Sequence, residues 1–184
     1  MKRKLQMTSK FDRRDTGKGI LAGLAGGLIG TIVMTQFQNA WSKAAQAAKS
    51  NGRQAQQEEQ QSSQEEKEDS TMKAAGKIAS VAGRQLSHEQ KEKLGPVVHY
   101  SFGTLQGAVY AAAMELTETS GGLLPGLLFG ASLFVVADEI TVPALGLSGK
   151  PTESPLSSHL YGLASHLVYG ISTEMVRRGV RATL

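Results

Sequence analysis

The chain has 184 residues, one domain's worth on the length prior, and its formal charge of +4 comes mainly from residues 1–18, which hold seven Lys/Arg against two Asp. It contains no cysteine, which excludes disulfides, thiol nucleophiles, Cys-ligated zinc and iron–sulfur clusters. The basic tail offers only Phe11 for stacking, so no nucleic-acid partner is expected, and attraction to anionic lipid is the simpler use of the charge.

Residues 1–18 read as a basic cytoplasmic tail. The stretch 19–36, GILAGLAGGLIGTIVMTQ, carries no charge over 18 residues, about the least that spans a hydrocarbon core of roughly 30 Å. It is expected to be an uncleaved first transmembrane helix, because Gln38 stands at the −3 position of the nearest small-residue cleavage site. Gly19, Gly23 and Gly27 recur every four residues and give that helix a stripe another helix can approach closely. Trp41 follows as an interfacial anchor.

Residues 37–96 form a polar insert, expected to be partly helical and outside the membrane. Ala-rich 42–49 suits a prolongation of the first helix, and 54–69 is biased toward Gln and Glu. Over 72–86, Ala75, Ile78, Ala79, Ala82 and Leu86 make a narrow apolar stripe, expected to lie on the protein's own domain or on headgroups. Ser87 and Gln90 give a capping-box signal for a short helix ended by Gly95-Pro96.

The stretch 97–116 reads as the second span, with Gly103 and Gly107 as a small-xxx-small pair. The third, 122–139, repeats the glycine stripe at Gly122, Gly126 and Gly130 and closes on Asp138 and Glu139. Pro143, Pro151 and Pro155 are expected to keep the following connection irregular. The fourth span, 156–176, leads into a basic tail over 177–184.

The second and fourth spans echo each other. At an offset of 59, Tyr161-Gly162, Val168-Tyr169 and Glu174 fall on Phe102-Gly103, Val109-Tyr110 and Glu115, and the glycine stripes of the first and third spans align at an offset of 103. The expected fold is therefore all-α: a polytopic membrane protein with about four transmembrane helices in two repeated hairpins, plus the polar helical insert. Such repeats commonly place sites at their interface. The Lys/Arg bias modestly favours cytoplasmic termini.

Ionisable groups at membrane depth are functional candidates by default. His166 is the only one near mid-membrane; it matches Gly107 of the first copy, so filling the space of the missing side chain competes with a proton relay. His99, His159, Asp138 and Glu139 belong near one surface, and Glu115 and Glu174 near the other. Glu174 precedes Arg177 and Arg178 by three and four residues, the spacing of an ion pair on one helix face, whereas Glu115 has no such partner in sequence and is expected either to be solvated at the surface or to pair with an arginine of the other copy. His159 and His166 lie seven residues apart, about 10.5 Å along a helix, too far to share an ion, and no metal or cofactor is expected. Tyr161, Tyr169, Phe102 and Tyr110 suggest an aromatic seam between the copies. No hydrolase, zincin or dinucleotide fingerprint is present, so no catalytic residue is assigned and no enzyme is expected.

The run His99-Tyr100-Ser101-Phe102-Gly103, Pro125 with the glycines around it, and the closing His166-Leu167-Val168-Tyr169-Gly170 with Glu174, Arg177 and Arg178 resemble the YagU-like family of small bacterial inner-membrane proteins, a domain of unknown function. The resemblance spans roughly 19–181, least in the insert. It implies a bacterial cytoplasmic-membrane location and no particular reaction. The leading functional expectation is a membrane protein passing or sensing protons or small ions around His166, with the bilayer as partner and self-association through the glycine stripes. The alternative is a scaffold acting through the insert and the basic tails.

Overall fold

The structure, a computed structural model, describes residues 13–50, 68–117 and 122–184. The expectations for residues 1–12, for most of the Gln/Glu-biased stretch 54–69 and for the turn at 118–121 lie outside the described residues. Every described element is helical.

Helix α1, Arg13–Ser50, runs without a break from the apolar stretch into the Ala-rich one. Nothing interrupts it, since it holds no proline and the Lys, Ala and Gln of its second half are strong helix formers. Helix α2, Ser70–Val81, starts at Asp69, whose carboxylate accepts from the Thr71 and Met72 N–H groups at 2.8 Å each. It ends in a Schellman turn: Gly83 sits at φ 72°, and the Gly83 and Arg84 N–H groups bond the Ser80 and Ala79 carbonyls. Its buried residues are Met72 and Ala75, which rest on the following helix, whereas Ile78 faces outward and is 63% exposed. The buried stripe thus lies nearer the N-terminus than expected: Met72, not Ile78, accompanies Ala75.

Helix α3 is Ser87-capped and runs His88–Thr117. Ser87 N–H donates to Gln90 Oε1 at 2.9 Å and Gln90 N–H to Ser87 Oγ at 3.3 Å, a reciprocal capping box. The expected stop at Gly95-Pro96 does not occur. Gly95 is buried under α2, where a side chain would meet Thr71 and Met72, while Pro96 is exposed, so the carbonyl that its ring deprives of a partner lies on the solvent side. Short and long helix are one.

Helix α4, Leu124–Leu133, begins with Pro125 in its first turn. Gly122 is not part of it: at φ 68° it belongs to the preceding turn, so the third stripe consists of Gly126 and Gly130. The helix widens into a π-helix over Phe134–Thr141 and closes with a turn over Val142–Ala144. The helical path therefore passes through Pro143, against expectation. A π-helix bonds residue i to i−5, so this segment has already left the i−4 ladder that a proline ring obstructs. A 3₁₀ turn at Pro151–Glu153 precedes helix α5, Leu156–Thr183.

α1 packs against both α3 and α5, α4 packs on α5, and α2 lies on α3. Two glycine crossings bring the backbones together. A Cβ at Gly107 would overlap the Gly23 carbonyl and Gly27, and one at Gly170 would overlap the Gly126 carbonyl and come within 2.8 Å of the Gly130 nitrogen. The stripes Gly19, Gly23, Gly27, Gly103, Gly107, Gly126 and Gly130 are all buried within the chain, so they join helices of one molecule.

Two helical stretches are long and apolar enough to cross a membrane, Thr16–Ala48 and Leu124–Ala144. Only 17% of the apolar window of the second is buried inside the protein, whereas the core helix of a soluble domain is mostly buried. Leu124, Leu128, Val135 and Val136 face outward along it, as do Leu21, Leu28 and Ile32 on α1. α3 and α5 have the length, 30 and 28 residues, but polar side chains dilute their apolar content.

Candidate functional site

The polar residues of α5 form its buried face. Ser165, His166, Tyr169, Thr173, Glu174 and Arg177 are all buried, at helical spacing, against α1, α3 and α4. With His159 above and Arg181 below, this file runs from residue 159 to 181, about 33 Å at 1.5 Å per residue. The bundle is inverted relative to a soluble one: polar file inside, branched aliphatics outside.

At one end, the π-helix of the α4 arm supplies Asp138 and Glu139. Thr141 Oγ donates to the Val136 carbonyl five residues back at 2.6 Å, which fits the π register. Glu139 Oε1 lies 2.7 Å from His159 Nδ1, and His159 Nε2 lies 3.0 Å from the Pro151 carbonyl. Two turns deeper, His166 Nδ1 lies 3.0 Å from the Gly162 carbonyl and 3.6 Å from Asp138 Oδ2. Both neighbours of that nitrogen are acceptors, so the proton resides on Nδ1. The Phe134 ring packs against His166 at 5.8 Å between centroids. In front of these groups is a cleft of about 140 Å³, lined by Phe134, Asp138, Glu139, His159 and the connection from Ser148 to Ser154. Asp138 keeps 43% of its side chain exposed there. His99 on α3 lies within electrostatic range of His166 and Asp69 without a hydrogen bond to either, and its ring meets Tyr100 edge-on at 5.7 Å.

At the other end, Glu174 is 2% exposed. It accepts from Arg177 Nε at 2.7 Å and Nη2 at 2.9 Å, and from the Tyr110 hydroxyl at 3.0 Å. The expected surface pair is therefore a buried, bidentate one, because α3 lays Tyr110 over it. Arg178 does not join; it donates to the Gly122 carbonyl at 3.1 Å. Glu115 receives Arg181 Nε at 3.0 Å across helices, so each of the repeat-related glutamates holds an arginine of α5.

These contacts also fix the repeat. Gly19 lies against the Glu115 side chain and Gly126 against Glu174; Gly23 meets the Gly107 carbonyl and Gly130 that of His166. With α3 and α5 aligned at 59, the arms align at 107, not at 103. In this register Gly27, Thr31 and Gly107 of the first hairpin correspond to Phe134, Asp138 and His166 of the second. The first hairpin closes tightly, with Thr31 Oγ against Gly103 and donating to the Gly27 carbonyl at 2.7 Å. In the second, the Phe134 ring and the His166 imidazole pack against each other in the places of Gly27 and Gly107, and the cleft lies beside Phe134.

The aromatic seam keeps Tyr110 and Tyr169 of the four expected members and takes Phe129 between them. Tyr110 stacks on Phe129 at 4.4 Å, Phe129 meets Tyr169 at 5.7 Å, and the Tyr169 hydroxyl donates to the Gly103 carbonyl at 2.7 Å. Tyr161 instead meets Trp41 at 5.9 Å, and Phe102 points outward at 45% exposure. Tyr110 as a ligand of Glu174, Phe129 as the seam's centre and Asp69 as a cap were missed. Only Asp69, immediately before an apolar helical period, carried a sequence signal. Among the described residues no three of His, Asp and Glu converge as a metal site. Comparison of the chain with protein-family models, with curated proteins and with solved structures gives no match.

Proposed function

We propose that this is a four-span protein of the bacterial cytoplasmic membrane, YagU-like in family, that passes or senses protons or small ions at the polar site of its second hairpin. The observation that carries the reading is the pairing of Asp138 with His166 and of Glu139 with His159 at the head of a buried polar file. Titratable groups facing a protein interior inside an apolar exterior are what a proton relay requires. A histidine also changes charge within the physiological range, near its unperturbed value of about 6.5. The packing of α3 against α1 and of α5 against α1 and α4, together with their lengths of 30 and 28 residues, supports counting them as the other two spans. The reading involves no catalysis.

The test is proton flux in liposomes holding the purified protein and a pH-sensitive dye. Wild type should dissipate an imposed pH gradient, and His166→Ala should slow it several-fold with normal insertion. Equal fluxes in both would end the proposal.

A scaffold acting through the insert is the second reading. It is favoured by the docking of α2 on α3 and by the hydrogen bond from Lys77 to the Leu145 carbonyl, which tie the insert to the core. It predicts that deleting residues 54–69 removes function while His166→Ala does not.

A further inference from the structure

We infer that the connection from Leu145 to Ser154 is a strap across the cleft, fastened by two cationic side chains from different parts of the chain, and that releasing either loosens it. The fastenings are geometric facts. Lys77 of α2 donates to the Leu145 carbonyl, 68 residues on in sequence. His159 of α5 faces the Pro151 carbonyl with Nε2 at 3.0 Å while Nδ1 faces Glu139 at 2.7 Å. Between these points Ser148, Gly149, Pro151 and Ser154 form one wall of the cleft. The Leu145, Gly146 and Leu147 N–H groups bond the preceding helical turn, and Leu147 is the only buried apolar side chain of the strap, so beyond Leu147 the His159 tether is its main fastening.

The His159 tether depends on protonation by its chemistry. A neutral imidazole has one N–H and one lone pair, so it can donate to the carboxylate or to the carbonyl but not to both. Both nitrogens face acceptors, so the closed arrangement needs the imidazolium. Loss of the proton leaves a lone pair against an oxygen and breaks one of the two bonds. Glu139 faces the ring from the π-helix, with Asp138 beside it in the same cleft, and the strap's own Lys150 and Glu153 pair with each other at 3.8 Å, both largely exposed. The Lys77 tether carries a different signal. α2 rests on α3 through Met72 and Ala75 alone as fully buried residues, so anything that lifts α2 also pulls at the strap. The polar insert and the histidine site thus meet on one segment.

The inference rests on the cleft as the site of the proposed function, but its test reads structure and not flux. A nitroxide on Thr152→Cys, the only cysteine in the full chain, reports strap mobility in liposomes. In the wild-type background the label should be immobile at pH 5.5 and gain a mobile component by pH 8.5. His159→Gln should be mobile at both, and Glu139→Gln should move the midpoint to lower pH. Lys77→Gln should raise mobility at pH 5.5 while keeping the pH dependence. A label whose spectrum does not change with pH, or an unchanged titration in His159→Gln, overturns the strap. Loss of flux in His166→Ala with the strap titration intact would leave both proposals standing. Flux unaffected by His166→Ala with the titration intact would remove only the transport reading.

Discussion

The buried carboxylate of Glu174 is the most demanding residue in the fold. A charge at 2% exposure persists because both its oxygens are occupied, by the Arg177 fork and the Tyr110 hydroxyl. Removing one partner strands the other, so Arg177→Met or Glu174→Gln should each cost about 3–5 kcal/mol in denaturant or thermal unfolding of the detergent-solubilised protein. The double substitution should recover part of that loss, since it leaves no uncompensated charge in the interior. Arg178→Ala, which removes only an exposed bond to a carbonyl, should stay within about 0.5 kcal/mol. Sequence spacing nominated Arg177 and Arg178 equally, because i+3 and i+4 both lie on the Glu174 side of a helix. Only the position of α3 distinguishes them, and no local signal in α5 announces where Tyr110 will be.

At the scale of elements, α2 is the least firmly held and therefore the most testable. Its cap residue Asp69 is pushed up by partial burial. The N–H groups of Met72 and Thr71 and the Thr71 hydroxyl outweigh that and hold its carboxyl below the ordinary value of 3.8. A depressed folded pKa means that the carboxylate's contribution is complete above the unfolded value and disappears as pH falls through the folded one. A spin label on the exposed Ile78→Cys should therefore report an ordered α2 at pH 5 and a loosening only below about pH 4. Asp69→Ala should loosen it at every pH, at a cost of about 1 kcal/mol. The glycine crossings make a sharper contrast. Gly170→Val drives a side chain into the backbone of α4 at Gly126 and should unfasten the second hairpin, whereas Gly179→Ala meets nothing within 4 Å and should be neutral or stabilising by about 0.5 kcal/mol. The stripes were legible because a four-residue glycine period has few other uses in an apolar helix. Their register was not, since a stripe shifted by one turn looks the same. Likewise the π-helix left no trace in the sequence. Its extra residue is a consequence of seating Phe134 and Asp138 against α5, and propensity carries no information about that.

For the whole molecule the proposed membrane architecture turns on how many of the helices would cross. An apolar run is easily recognised when the helix presents aliphatics to lipid on most sides, as α4 does. It is harder when the helix turns a polar face to its neighbours, as α5 does with His166, Thr173, Glu174 and Arg177. α1 and α4 are therefore apolar enough to cross a membrane and α3 and α5 are more polar, although the four pack side by side. The proposed four-span reading rests on packing: Gly107 and Gly170 lie against the backbones of α1 and α4, so α3 and α5 are expected to cross with them. The cysteine-free sequence makes the check direct. Single cysteines at Ser62, Thr119 and Ser148, each probed from outside intact cells with a membrane-impermeant maleimide, should label at 62 and 148 and not at 119. That pattern places the insert and the strap on the outer side and both termini inside, with Asp138, Glu139 and His159 opening outward and Glu115, Glu174 and their arginines at the cytoplasmic face. The inverse pattern would keep four spans and reverse the direction in which the cleft opens. Labelling at 62 and 119 alike would mean that α3 does not cross. The two-hairpin membrane architecture would then fail, and the polar face of α5 would need another explanation.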